Sequence, residues 1–545
     1  MKKLHIVGIN ARYTHSNLAI RYLRNSIQDL DLETDILEFS INQPDLNILE
    51  KIVKERPDII AVSVYIWNTQ KIISLISELK KILPQTKLIL GGPEVSYNAE
   101  EWLKNYPQID FVIGGSGEAG FRYLLENDCT INENILVRKN PHFSKIPFPY
   151  LETDFPKLLD KYLYYESSRG CSFNCSYCLS SRLDQKQEFR DLILVKKELE
   201  FLIARKPRII KFVDRTFNIK KEHSRAIWEF LIDLNPSTKF HFEIHPELLE
   251  DEDFEILQSC PADLFQFEIG IQSTNPPTLE SIHRRSSWSK ISVSIRKLIN
   301  LNNINIHVDL IAGLPFEGLK QFKKSFNDIY SLGADNMQLG FLKILPGTEL
   351  AEQTYDFRMI ATSQNPYLIL QNNWLSFQDL IKLHQIEKLL NTFKNSHNFD
   401  TLISHLIPLH GSAYDLYWEF ASYLTSKKYD LNTKNWQKNA FELLNFANSK
   451  FSDKMDFFKD CLKWDWCKQA KSHYYPQFLR SKQDLKAKKK GYVALQLLKK
   501  QGNIELSSNE IKRIIYFIPL SPEFKKIYSL QAQIVIFVKG NPIFL

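Results

Sequence analysis

No stretch of this 545-residue chain runs uninterrupted in apolar residues for the roughly 20 positions that a bilayer-spanning helix needs. The opening MKKLHIVGIN is too short in its apolar part for a secretory signal, so the chain is expected to be cytoplasmic, with no membrane partner. Cysteine is scarce, at seven residues. An odd count with three residues clustered, in a long intracellular chain, argues against a disulfide framework and for metal ligation by the cluster. No internal repeat is visible. Neither sign of charge dominates: the net charge is +7, most concentrated in RSKQDLKAKKKG from Arg480 to Gly491, which reads as a solvated helix face rather than a nucleic-acid patch.

What is present is enough apolar material, 44% of residues against 24% charged, to bury more than one core. Up to about residue 125, short apolar strands (KLHIVGI, DIIAVSVYI, KLILGG, DFVIGG) alternate with amphipathic stretches such as TQKIISLISELKKIL. That alternation predicts a parallel, doubly wound sheet. A proline-rich connector, KNPHFSKIPFPYLETDFP, leads at about Tyr150 into a second alternating zone: RIIKFVDRTF, KFHFEIHP, LFQFEIGIQS, INIHVDLIAGLP and NMQLGFLKILPG. Repeated βα units with polar, glycine-bearing tips predict a full or partial barrel whose site lies at the carboxyl ends of its strands. From about residue 351 the chain reads as helical and aromatic-rich, with DLIKLHQIEKLLNTF as a clear amphipathic segment, and it ends on a β-like tail, QIVIFVKGNPIFL.

The stretch ESSRGCSFNCSYCLSS carries Cys171, Cys175 and Cys178, with no fourth cysteine nearby. Three thiolates can hold three irons of a four-iron cluster and leave the fourth open, whereas a fully protein-ligated cluster takes four. Structural zinc would want a fourth Cys or His at finger-like spacing, and none lies close on either side. Three unliganded thiols on a loop would oxidise readily.

At these residues the chain resembles the radical S-adenosylmethionine (SAM) superfamily, whose C-x-x-x-C-x-x-C loop follows the first strand of a partial barrel. The resemblance extends to Tyr177 before the last cysteine, to FVDRTFN around Asp214, to FEIGIQS with Gly270, Gln272 and Ser273, and to VDLIAGLP with Asp309 and Gly313. It implies a 4Fe-4S cluster on Cys171, Cys175 and Cys178, with SAM held near Tyr177, Asp214, Gly270, Gln272, Ser273 and Asp309.

The first zone is similar to the cobalamin-binding domain fused ahead of a group of radical SAM enzymes. LILGGPEVS and FVIGGSGEAG place glycines just past strands, where a backbone passes close to a ligand. The resemblance implies cobalamin contacts at Ser63, Gly91, Gly92, Gly117 and Glu118. The D-x-H-x-x-G of methionine-synthase-like domains is missing: GINARYTHSNLAIRYL offers His15 without that Asp or Gly, so cobalamin without a protein histidine on cobalt is expected. NARYTHSNLAIRYLR resembles a subgroup with an uncharacterised carboxyl-terminal domain. The architecture implied is α/β: a Rossmann-like cobalamin-binding domain (1–140), a radical SAM partial TIM barrel (141–350), and a mainly helical C-terminal domain of unknown role (351–545).

The activity implied is reductive cleavage of SAM to a 5'-deoxyadenosyl radical and methylation of an unactivated carbon, with cobalamin carrying the methyl group. Cobalamin-assisted rearrangement or cyclisation without methyl transfer, and a non-catalytic SAM- and cobalamin-binding sensor, are the alternatives. The partners implied are a small-molecule or peptide substrate and a one-electron reductant such as flavodoxin or ferredoxin; nucleic acid is not expected. The methylthiotransferases need cysteines in their amino-terminal domain, and the first 128 residues contain none. Cys461 and Cys467 could ligate an auxiliary cluster, although core placement is the preferred reading. Cys129 and Cys260 read as structural. His241, Glu243 and His245 alternate along one strand and so share a face, facing SAM or serving the core. Aromatic segments such as YDLYWEFASYL either close over the substrate or pack a core.

Overall fold

The alternation of strands and amphipathic stretches folds into two parallel sheets, as a computed structural model shows for residues 1–181, 187–469, 474–500, 507, 514–517, 521–530, 535–538 and 540–544. The first sheet holds β1 (Lys2–Asn10), β2 (Leu32–Ser40), β3 (Ile59–Ser63), β4 (Lys87–Gly91), β5 (Phe111–Ile113) and β6 (Ile135–Leu136) in the order β2-β1-β3-β4-β5-β6. Every pairing along it is parallel. Period-2 alternation buries both faces: Leu4 and Ile6 enter one apolar layer with Ile20 and Phe121, while Val7 and Ile9 enter the other with Ile48, Ile72 and Leu75. Each such side chain, fully buried, contributes about 1.5–3 kcal/mol. The strand order reverses between β1 and β3, so a crevice opens at their carboxyl ends, Asn10 and Ser63.

The second sheet runs in sequential order from β7 (Leu163–Tyr165) through β10 (Ile209–Phe212), β11 (Lys239–Glu243), β12 (Phe265–Gln272) and β13 (Asn305–Ala312) to β14 (Asn336–Phe341). A short antiparallel pair, β8 (Ser168–Arg169) with β9 (Glu188–Phe189), interrupts it after β7. The sequence places phenylalanines at alternate positions of β11 and β12, and with Phe212 of β10 these form the helix-facing layer. Phe242 meets Phe212 at 4.6 Å and Phe217 at 4.4 Å, and Trp228 lies 5.7 Å from Phe267. The opposite face of the same strands is polar.

Cα packing divides the chain into two units, Met1–Ser325 with Leu332–Asp335 and Gly340–Phe377, and Phe326–Ser331 with Asn336–Leu339 and Gln378–Leu545. In the second unit the helices Asp400–Leu409, Ala413–Ser426, Trp436–Lys450 and Met455–Gln469 pack on buried aromatics, Phe420 on Phe446 at 4.9 Å and Trp436 on Trp466 at 4.9 Å. The β-like tail forms antiparallel strands Val535–Val538 and Asn541–Phe544. Among the described residues no helix is long and apolar enough to cross a membrane.

Candidate active site

The cysteine loop leaves the second sheet at the carboxyl end of β7. Its stem is held by Asp214 at the end of β10, which is buried and accepts hydrogen bonds from the Ser167 amide (3.0 Å), the Ser167 hydroxyl (2.6 Å) and the Ser168 hydroxyl (2.7 Å). Burial pushes that carboxyl up to about 6 against the pull of those bonds. Asp214 therefore ties the end of β10 to the stem of the cysteine loop. Gly170, at φ 92°, turns the chain from Arg169 into Cys171 in a conformation that side chains resist.

Cys175 is buried, while Cys171 and Cys178 are half-buried, and none of the three is in a disulfide. Burial, then the neighbouring thiols, raises Cys171; burial raises Cys175 against the opposing charge of Arg284. The loop is pinned where the Ser176 amide donates to Ile282 (3.2 Å) and the Leu350 amide to Ser176 (2.9 Å).

Arg284, which no sequence motif had singled out, brings Nη1 to 3.9 Å from the Cys175 sulfur and donates its other Nη to the Gly270 carbonyl. It thus joins the cysteine loop to β12. There the ladder to β13 is irregular between Gly270 and Gln272, and Gln272 takes a positive φ of 71°. The Gln272 Oε1 atom is buried without a partner, a polar atom suited to a bound ligand. Ser273 is spent within the wall: its hydroxyl donates to Glu317 (2.6 Å) and accepts from the Asn275 amide (3.0 Å). Glu317 also accepts from Ser325 (2.6 Å), and burial lifts its carboxyl to about 7. Tyr177 is half-buried on the loop, its hydroxyl raised well above the ordinary value by burial.

Asp309 and Glu243 lie on the polar face of β13 and β11, and burial with neighbouring carboxylates lifts them to about 8 and about 7. His241, on the same face as Glu243, bonds Glu268 at 2.8 Å. His245 lies past the strand end, stacked on Phe173 of the cysteine loop at 5.0 Å, and is lowered to about 4 by burial and then by Arg284. The structure thus gives His241 and His245 different tasks despite their shared alternation.

In the first sheet Ser63 lies at the crevice, its hydroxyl 3.2 Å from the Asn17 amide nitrogen. Beside it Tyr65 and Trp67 stack at 4.4 Å, the indole 45% exposed. Gly92 is required by the fold, because at φ 110° an added Cβ would sit 2.4 Å from the Val64 carbonyl; Gly91 and Gly117 meet only ordinary contacts. Glu118 does not stand free. It accepts from Asn140 (2.5 Å) and Arg169 (2.8 Å), and Arg169 in turn chelates Glu166 and lies over the Tyr22 and Phe143 rings. The stem of the cysteine loop is therefore clamped to the glycine loop of the first sheet, a link no spacing in the sequence signals.

His15 bonds the Tyr164 hydroxyl through Nδ1 and lies 5.7 Å from the Tyr162 ring; burial, then Lys211, lowers it. Cys461 and Cys467 are buried in the helix Met455–Gln469, and burial raises both, Cys467 to about 12. Cys129 and Cys260 are buried too, raised to about 11 and about 12.

Three families match in turn: B12 binding domain over residues 4–125, Radical SAM superfamily over 165–329, and Protein of unknown function (DUF4080) over 355–528. The chain is 24% identical over 387 residues to the cobalamin-dependent radical SAM methyltransferase TokK of Streptomyces tokunonensis, covering 64% of this chain and 56% of TokK. It is 25% identical over 309 residues to the 2-(S-pantetheinyl)-carbapenam-3-carboxylate methyltransferase of Streptantibioticus cattleyicolor, covering 51% of this chain and 45% of that protein. The chain thus spans about half the length of these relatives. The solved structure of the cobalamin-dependent S-adenosylmethionine radical enzyme OxsB with aqua-cobalamin superposes with a TM-score of 0.60 at 14% identity, covering 100% of this chain and 85% of that one, which is a likeness of fold. The B12-binding and radical SAM domains support cobalamin, a 4Fe-4S cluster and SAM as the cofactors of this chain.

Proposed function

We infer that this chain, which joins a B12-binding, a radical SAM and a DUF4080 domain in that order, is an enzyme that methylates an unactivated carbon of a small molecule or peptide. In this reading residues 1–140 hold cobalamin through Ser63, Gly91, Gly92, Gly117 and Glu118. Residues 141–350 hold the cluster on Cys171, Cys175 and Cys178 and SAM against Tyr177, Gly270, Gln272, Ser273 and Asp309, with Asp214 fixing the loop stem; residues 351–545 form the mainly helical third domain. When bound, the cluster would supply one-electron reduction of SAM, with flavodoxin or ferredoxin as the electron source, and cobalamin would supply a carrier for the methyl group.

The observation that carries the reading is the cysteine loop itself: three free thiols, Cys171, Cys175 and Cys178, on one loop beside the Arg284 cation. Arg284 offsets negative charge gathered on the sulfurs, and its bond to Gly270 holds the loop in register with β12. Asp214, with His223 3.2 Å from the Ser167 hydroxyl, keeps the stem from moving, so the reacting groups keep their spacing.

Anaerobic reconstitution with SAM, cobalamin, a flavodoxin or ferredoxin reducing system and cell-extract fractions, followed by mass spectrometry, tests this. Methylation yields 5'-deoxyadenosine and S-adenosylhomocysteine together with a methylated product, and Cys175→Ala abolishes both nucleosides. 5'-Deoxyadenosine without S-adenosylhomocysteine would replace methylation by rearrangement or cyclisation. Neither nucleoside from cluster-loaded wild-type protein would leave a sensor.

A further inference from the structure

One buried histidine of the first sheet, His5, has no part in the cofactor reading. Along β1 it stands in the alternate register that carries Val7 and Ile9 into the apolar layer beneath the helix Asp45–Val53, where an aliphatic side chain would cost less to bury. It is 3% exposed. Its Nδ1 atom lies 2.9 Å from the Ile52 carbonyl in the last turn of that helix, and because a carbonyl only accepts, Nδ1 carries the proton. In the neutral ring the lone pair is then on Nε2, which makes no hydrogen bond among the described residues.

Two acids share its surroundings. The parallel register sets His5 opposite Asp35 of β2 on the same face of the sheet, and Glu55 follows the end of the helix Asp45–Val53. His5, Asp35 and Glu55 each bring a ligand atom within 4.8 Å of the other two. They are close without being in contact: His5 forms no ion pair, and Asp35 has neither an ion pair nor a hydrogen bond among the described residues. With bonds of about 2.0–2.2 Å, two ligands of a tetrahedral zinc stand roughly 3.4 Å apart, so a small closure of two exposed carboxylates completes the set. Lys3 is the cation paired on this face, 3.4 Å from Glu33 and 3.4 Å from the Oε2 atom of Glu55. Glu33, Asp35 and Glu55 against Lys3 leave two negative charges, which match one divalent ion. Lys54 and Arg56 flank Glu55 but are exposed and pair with none of these acids.

We propose that His5, Asp35 and Glu55 form a site for one zinc ion, held by Nε2 and an oxygen of each carboxylate, with water in the fourth position. Imidazole beside two carboxylates suits zinc, whereas magnesium prefers an all-oxygen shell. The Ile52 carbonyl is the outer partner that fixes the ring of a ligating histidine. From His5 to the crevice at Asn10 the strand runs about 16 Å, so the ion takes no part in the reaction. It clips β1, β2 and the end of the helix Asp45–Val53 together at the opposite edge of the sheet. The site stands apart from the reading of the chain as a methylating enzyme.

The test titrates full-length, cluster-loaded protein with zinc chloride in a calorimeter, with magnesium chloride as the comparison, and follows the thermal midpoint at each concentration. A saturable step of one zinc per chain is expected to raise the midpoint, with magnesium ineffective at equal concentration. Asp35→Asn and Glu55→Gln, at exposed positions, should each weaken that step by about tenfold or more. His5→Gln should do the same, and the two surface variants decide the matter where His5→Gln fails to fold. X-ray absorption of the bound zinc should show nitrogen and oxygen neighbours without sulfur. No saturable zinc, equal zinc affinity in the wild type and both surface variants, or sulfur around the zinc that those variants lose would overturn the site.

Discussion

Among single residues, Glu317 has the sharpest consequence outside the cysteines. Its side chain is fully buried, takes hydrogen bonds from Ser273 and Ser325, and keeps Oε2 without a partner. Burial raises its carboxyl from 4.5 to about 7, so the folded protein holds a proton there that the unfolded chain releases. The stabilisation is complete below the unfolded value and is lost as pH climbs towards and through about 7, because the native state must then ionise a buried acid. At one pH unit worth about 1.4 kcal/mol, the swing is on the order of 1–3 kcal/mol. Thermal midpoints measured from pH 5 to pH 8 should fall with pH in the wild type and fall less in Glu317→Gln. Parallel profiles for the two proteins would show that Glu317 does not keep its proton.

Among elements, the informative joint is between the helix Glu118–Glu126 and the β8 stem of the cysteine loop. Glu118, Arg169 and Glu166 form a mostly buried ion-pair run, and removing one partner leaves the others' charge poorly compensated, at a cost on the order of 1–3 kcal/mol. Glu118→Ala is expected to lower cobalamin occupancy and also to broaden the cluster's paramagnetic spectrum, since Arg169 is released two residues before Cys171. An unchanged spectrum alongside lost cobalamin would reduce Glu118 to a local contact. The sequence made the elements themselves legible. Strand periodicity gave both parallel sheets, and the spacing of Cys171, Cys175 and Cys178 gave the loop, because those signals are local. The joint was hidden, since Glu118 and Arg169 lie 51 residues apart and meet only when the two sheets pack. Arg284 was hidden for the same reason, 109 residues from Cys175. The resemblance names Ser273 and Asp214, yet their hydrogen bonds turn inward, to Glu317 and to the loop stem, which no motif reveals.

For the whole molecule, every residue proposed to meet a cofactor, from Ser63 to Asp309, falls in the first unit, which has both parallel sheets' apolar layers apart from the end of one helix and most of β14. Those exceptions matter for stability: Phe326, Ile329, Met337 and Leu339 are buried and belong to the second unit. A fragment ending at Phe377 would expose them and lose several kcal/mol at about 1.5–3 kcal/mol per side chain. The cysteine loop, Arg284, the Asp214 stem and the Glu118–Arg169 joint keep all their described partners within that fragment. Residues 1–377 should therefore reconstitute with about four irons and bind cobalamin, while melting several degrees below the full chain. Metal analysis, with circular dichroism to establish folding, decides between this and a second unit that completes the cofactor sites. A folded fragment that takes up neither iron nor cobalamin would assign residues 378–545 a direct part in holding them, and the allocation of cofactors to the first unit would have to be redrawn.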